Sequence, residues 1–299
     1  MFRNVAELVS MAEQQQVKIA EIMIRQEIEV TGLSREKVIA KMDQNLAVME
    51  RAIERGLNGV KSRTGLTGGD AVLLQNYIQS GKSLTGELLL DAVSKAVATN
   101  EVNAAMGIIC ATPTAGSAGV VPGTLFAVKN KLNPTRQEMI EFLFTAAAFG
   151  FVVANNASIS GAAGGCQAEV GSASGMAAAA IVEMAGGTPK QSAEAMAITL
   201  KNMLGLVCDP VAGLVEVPCV KRNAMGASNA LTAADMALAG ITSRIPCDEV
   251  IGAMYAIGQS MPSSLRETAE GGLAATPTGR RLEAEIFGQP KAKLKDYLV

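Results

Sequence analysis

Apolar positions recur at helical spacing along most of the chain, and no stretch alternates in the manner of a strand. Residues 4–30 read as one charged amphipathic helix, ended by Gly32, with Ser34 placed to cap the next. In that next helix Met42, Leu46, Met49 and Ile53 form an apolar stripe, the pattern of ordinary packing. Residues 58–70 (NGVKSRTGLTGGD) are loop by composition, 84–98 are helical, and 110–123 (CATPTAGSAGVVPG) form a second loop. Asn133-Pro134 predicts a helix start, with Asn133 as N-cap, and that helix runs to about residue 157. An alanine-rich helix follows Cys166 and stops at Gly186-Gly187. Thr188-Pro189 opens another that ends near Gly205, and 218–241 and 246–259 are two more. Alanine, methionine and leucine are good helix formers. The expectation is an all-α fold, one compact multi-helix domain over 1–299 without internal repeats, its charged end from Thr276, and above all from about 289, peripheral.

The stretch between Glu141 and Glu169 carries no charge. Its strongly apolar part, 142–154, is too short to span a bilayer and is followed at once by Asn155, Asn156 and Ser158, so it reads as a buried core helix. Hydrophobic residues make up 49% of the chain and charged ones 18%, with a mean hydropathy of +0.26. Either one core buries much of this apolar material or a partner covers part of it. A net charge of −2, 3% aromatics and no tryptophan argue against nucleic acid as a partner. The N-terminal residues show no apolar signal core, and five cysteines are an odd number, so a reducing, cytoplasmic setting is expected, with the cysteines as thiols or ligands.

Those cysteines change the picture. Residues 158–171 (SISGAAGGCQAEVG) place Cys166 where a glycine-rich run meets a helix, and 208–219 (CDPVAGLVEVPC) hold Cys208 and Cys219. Intervals of 42 and 11 residues form no compact metal motif, and a free cysteine is often simply a small buried hydrophobe. Yet all three sit beside helix breakers: Gly164-Gly165, Asp209-Pro210 and Pro218. Cysteines at element ends can converge, and three thiols in a chain without histidine suit iron and sulfur better than zinc. Cys110 and Cys247 also border loops and are candidates for a fourth ligand.

In TPTAGSAGVVPG, residues 112–123, glycines permit tight turns, and free N–H groups and hydroxyls suit a carboxylate; Thr112, Thr114, Gly116, Ser117 and Gly119 are the candidate substrate contacts. The Gly-Lys-Ser/Thr ending of a phosphate loop is missing. KRNAMGASNA, 221–230, follows Cys219 directly: Lys221 and Arg222 can neutralise charge or hold a carboxylate, and Asn223 is a further substrate candidate. Glu169 and Asp209 neighbour the cysteines and can act on a proton or cap a helix.

Together these motifs, with GGLAATPTGRR, resemble the α subunit of the bacterial iron–sulfur L-serine dehydratases over about residues 1–288. The resemblance implies a [4Fe–4S] cluster on Cys166, Cys208 and Cys219, with one open iron as a Lewis acid for the serine hydroxyl, and no pyridoxal phosphate. Glu169 and Lys221, read from their places beside the cysteines, are the candidate catalytic residues, and the resemblance implies a β subunit as partner, because the β domain that precedes this region in single-chain members has no counterpart here. Nor is there a C-terminal cysteine like the one that reaches back to the cluster in some members. Two other readings compete: an iron–sulfur redox or sensor protein, which would want a fourth cysteine, and a non-catalytic helical partner with incidental cysteines.

Overall fold

The computed structural model describes residues 1–288, and among them the chain is all helix and loop, with no strand beyond a single bridge between Cys208 and Arg266. In order, the helices are α1 (Val5–Gln15), α2 (Ile19–Thr31), α3 (Arg35–Leu57), α4 (Asp70–Gln79), α5 (Glu87–Ala104), α6 (Val120–Leu132), α7 (Arg136–Asn156), α8 (Gly161–Gly164), α9 (Ser172–Met184), α10 (Pro189–Lys201), α11 (Cys219–Leu238), α12 (Cys247–Ser260) and α13 (Pro277–Phe287).

The fold is built round α9. Its residues from Ser172 to Val182 are all buried. Ala177 to Ala180 present only methyl groups, so neighbouring helices approach closely, and α10, α7, α11 and α6 pack round it. A second layer forms where α5 lies against α6, α11, α3 and α4. Helix α7 is long and apolar enough to cross a membrane, but two thirds of its apolar window is buried by the surrounding helices, as a core helix requires.

Several boundaries differ from the sequence expectation. Residues 4–30 are two helices, because Gln16 turns left-handed (φ 54°) and α2 starts afresh at Ile19. The N-terminus of α2 is closed from a distance: Glu183 on α9 accepts the N–H groups of Ile19 and Ala20 at 2.6 and 3.2 Å. Helix α4, which sequence reading missed, is closed in the same way by the buried Glu101 of α5, which accepts from Asp70 at 2.7 Å and Ala71 at 3.3 Å. The second loop ends at Gly119, not Gly123. Pro122 falls in the first turn of α6, where a missing N–H breaks no helical bond. Asn133 ends α6 in a left-handed conformation, and Thr135 is the true N-cap of α7, in a reciprocal box with Glu138. The charged end is less peripheral than expected: α13 packs on the 211–213 turn beside the cysteine segment, and Gly279 is buried. The tail from 289 lies outside the described residues.

Candidate functional site

Cys166 stands at the entrance to a turn of π-helix, Gln167–Gly171, that runs without a break into α9. Such a turn carries one residue more than an α-helical turn, and this one holds Glu169. Gln167 anchors it. Its backbone N–H reaches Leu206 O at 2.9 Å. Its side-chain amide donates to Gly164 O at 3.0 Å and Met254 O at 2.9 Å, and accepts from the N–H of Gly205 at 2.9 Å. Cys208 is held by Leu265 O at 2.8 Å and by the N–H of Glu267 at 2.7 Å. Cys219 is the first residue of α11.

The three cysteines are buried, reduced and mutually aware. Cys208 hydrogen-bonds to Cys166. That bond, and the nearby Arg222, hold the Cys166 thiol below its ordinary value against the effect of burial. Cys208, the donor in that bond, is pushed up by it and by burial. Burial raises Cys219 as well, and the charge of Cys166 adds to the shift. Burial alone would make Arg222 less basic, but the facing Cys166 and Asp209 outweigh it. Arg222 pairs with Asp209 at 2.8 Å, with 14% and 4% of the two side chains exposed, and donates to Val207 O at 2.8 Å.

The loop 112–119 closes over this group. Thr114 donates to the Glu169 carboxylate and lies 3.1 Å from the hydroxyl of Ser117, which donates to Thr112 O at 3.1 Å. Gly116 is required by proximity: a methyl group there would lie 2.6 Å from Oε1 of Glu169. At Gly119 it would overlap Ala96 O and come within 2.8 Å of Asn100 Oδ1. Three asparagines pin the loop from below. Asn223 donates to Gly116 O at 2.7 Å and Cys219 O at 2.9 Å and accepts from Gly119 N–H at 3.1 Å. Asn100 also donates to Gly116 O, at 2.9 Å, and Asn103 to Ala115 O at 3.1 Å. Among the described residues, the buried atoms Thr112 Oγ1 and Asn100 Oδ1 find no hydrogen-bond partner.

Glu169 is buried, and burial pushes its carboxyl above the ordinary range. The Thr114 bond opposes that shift and the charge of Glu267 adds to it. The structure therefore brings Thr112, Thr114, Gly116, Ser117, Gly119, Glu169, Asn223 and the three cysteines into one neighbourhood. It does not bring Lys221 there. Lys221 pairs with Asp70 on the surface, 63% of its side chain exposed. Two places from Cys219, it falls on the far side of α11; Arg222 and Asn223, three and four places on, share the cysteine's face. That spacing could have separated the two cations from sequence. Asn100 and Glu267 were missed: the first lies in an unremarkable helix, the second in a loop that meets the site only through the tertiary Cys208–Arg266 bridge.

A family model described as Serine dehydratase alpha chain matches residues 14–274. The chain belongs to that family. Its relatives include the probable L-serine dehydratase, alpha chain, of Bacillus subtilis (strain 168), 80% identical over 96% of both chains. The L-serine dehydratase, alpha chain, of Peptoniphilus asaccharolyticus is 42% identical over 96% of this chain and 99% of the relative. The L-serine dehydratase of Haemophilus influenzae is 36% identical over 91% of this chain but only 61% of its own length.

Three buried thiols, Cys208 bonded to Cys166 and the guanidinium of Arg222 acting on Cys166 and Cys219, suit an iron–sulfur cluster by donor chemistry. Among the described residues no three His, Cys, Asp or Glu side chains converge on a single metal ion. A cluster makes no such demand, because it distributes its thiolates over several irons.

Proposed function

We propose that this chain is the α subunit of an L-serine dehydratase, acting with a β subunit to convert L-serine to pyruvate and ammonia. The observation that carries the reading is the closure of the hydroxyl-rich loop 112–119 onto Glu169, beside three buried cysteines. Cys166, Cys208 and Cys219 would hold the cluster. When bound, it supplies an iron without a protein ligand, a Lewis acid that eases departure of the β-hydroxyl.

The chain's own residues do the rest. Thr112, whose buried hydroxyl has no partner, and the loop beside it receive the substrate carboxylate. Glu169, made more basic by burial and aimed by Thr114, takes the α-proton. The electron pair of that C–H bond forms the Cα=Cβ bond as the Cβ–O bond breaks, and the departing hydroxide takes the proton from Glu169 and leaves as water, which returns the carboxylate for the next turnover. The resulting aminoacrylate tautomerises to an imine, which adds water and divides into pyruvate and ammonia. Arg222 balances negative charge at the cysteines and fixes Asp209.

The test is anaerobic purification with the β chain and an assay on L-serine. Pyruvate and ammonia in equal amounts are expected. A protein that carries iron and sulfur but leaves L-serine unchanged would point to the redox or sensor reading instead.

A further inference from the structure

The loop 262–272 brings a second carboxylate to the site. Glu267 sits in a left-handed conformation (φ 64°), which costs a side-chain-bearing residue energy and needs a structural reason. Its N–H is tied to Cys208 O at 2.7 Å. Its carboxylate flanks the Cys208 sulfur: a methyl group on Gly161 would lie 2.6 Å from that sulfur and 3.3 Å from Oε2 of Glu267. Its charge is felt at Glu169, Cys208 and Cys219. Yet among the described residues this half-buried carboxylate has neither ion pair nor hydrogen bond. Glu169, by contrast, is engaged by Thr114, and Asp209 by Arg222 and the N–H of Leu273.

We infer that Glu267 is the residue that receives the α-ammonium group of the substrate. The inference rests on the dehydratase reading. An amino acid in this site presents one cation, and among the described residues Glu267 is the carboxylate beside the cysteines that no hydrogen bond or ion pair engages. Arg222, the cation facing the cysteines, is already committed to Asp209 and Val207. The two carboxylates then divide the work: Glu169, buried and hydrogen-bonded, moves the proton, while Glu267 binds charge. Specificity for an amino acid over the corresponding hydroxy acid follows, because a neutral group at the α position leaves Glu267 unpaired.

The experiment uses the assembled, anaerobically purified enzyme and the variants Glu267→Gln and Glu267→Asp. In Glu267→Gln the KM for L-serine should rise by about 10- to 100-fold, the range for losing a hydrogen bond to a charged group, with kcat changed far less. Inhibition by glycerate, which has a hydroxyl where serine has its ammonium, should stay within about twofold of the native enzyme, about 0.4 kcal/mol, because it brings no cation for Glu267 to receive. Glu267→Asp should recover part of the affinity. Iron content and helical circular dichroism check that the Cys208 loop is intact. An unchanged KM in Glu267→Gln, or equal loss of serine and glycerate binding, overturns the assignment. A native enzyme that does not turn over L-serine at all would instead defeat the dehydratase reading itself.

Discussion

Asn223 offers a direct test of how the site is held. It is wholly buried on α11 and closes three bonds, to Gly116 O (2.7 Å), Cys219 O (2.9 Å) and Gly119 N–H (3.1 Å). In Asn223→Ala the Gly119 N–H is left buried without an acceptor, at a cost of about 1–3 kcal/mol. Gly116 O keeps Asn100 as a donor, so its loss is near the lower end of the ~0.5–1.5 kcal/mol usual for one bond. The sum is about 1.5–3.5 kcal/mol. At roughly 2–4 °C per kcal/mol for a large domain, the midpoint of thermal unfolding should fall by about 3–14 °C. Asn223→Asp keeps an acceptor for Gly119 but turns a charged carboxylate toward two carbonyl oxygens, so at neutral pH it should be the less stable variant. Both should raise the KM for L-serine, because the loop 112–119 loses its anchor. The measurements are helical circular dichroism on heating and pyruvate formation. If Asn223→Ala melts within about 2 °C of the native enzyme, below the shift that 1 kcal/mol produces, and its KM is unaltered, the loop is held by something else.

Substituting Cys166, Cys208 or Cys219 by serine should abolish bound iron and activity, whereas Cys110→Ser and Cys247→Ser should retain both; iron analysis of the five variants decides, and equal loss in all five would refute the assignment. Glu169→Gln should abolish turnover, and Lys221→Ala, which removes an exposed ion pair worth at most about 1 kcal/mol, should leave it nearly intact. Glu169 also predicts a pH effect. Its folded pKa is raised, so the folded state binds the proton more tightly than the unfolded chain. The native protein is therefore stabilised below the ordinary carboxylate range and loses that contribution as pH rises through the elevated value. Glu169→Gln lacks this loss, so its urea midpoint relative to the native protein should climb across that interval and then level off; a flat difference would show that burial does not raise the carboxyl's affinity for its proton.

How legible the chain was depended on whether a structural signal was local. Thr188-Pro189 with Gln191 opens α10 as read, and Ser34 caps α3 by accepting from Lys37 N–H. The breaks before α2 and α4 were missed because their caps, Glu183 and Glu101, lie far away in sequence and meet these helices only after folding. The site divides in the same way. The loop 112–119, Glu169 and the cysteines announce themselves by composition, whereas the helical repeat that could have separated Arg222 from Lys221 went unused and the surface lysine was named instead. The carboxylate of Glu267 reaches the site through a contact across 59 residues of chain, between Cys208 and Glu267, that no periodicity foretells.

The π-helical turn between Cys166 and α9 makes length itself a functional property of this segment. Each residue of an α-helix turns the chain by about 100°. Removing one residue from Gln167–Gly171 would let the helix become regular while α9 stayed locked among its neighbours. Everything on the N-terminal side would then swing by that angle, carrying Cys166 away from Cys208 and Arg222 although no chemical group there had been exchanged. The small residues of this stretch can vary in kind more readily than in number. A deletion here would be silent in composition and severe in effect, and a compensating insertion a few residues upstream would not repair it, since Glu169 and Cys166 must keep their spacing along the turn.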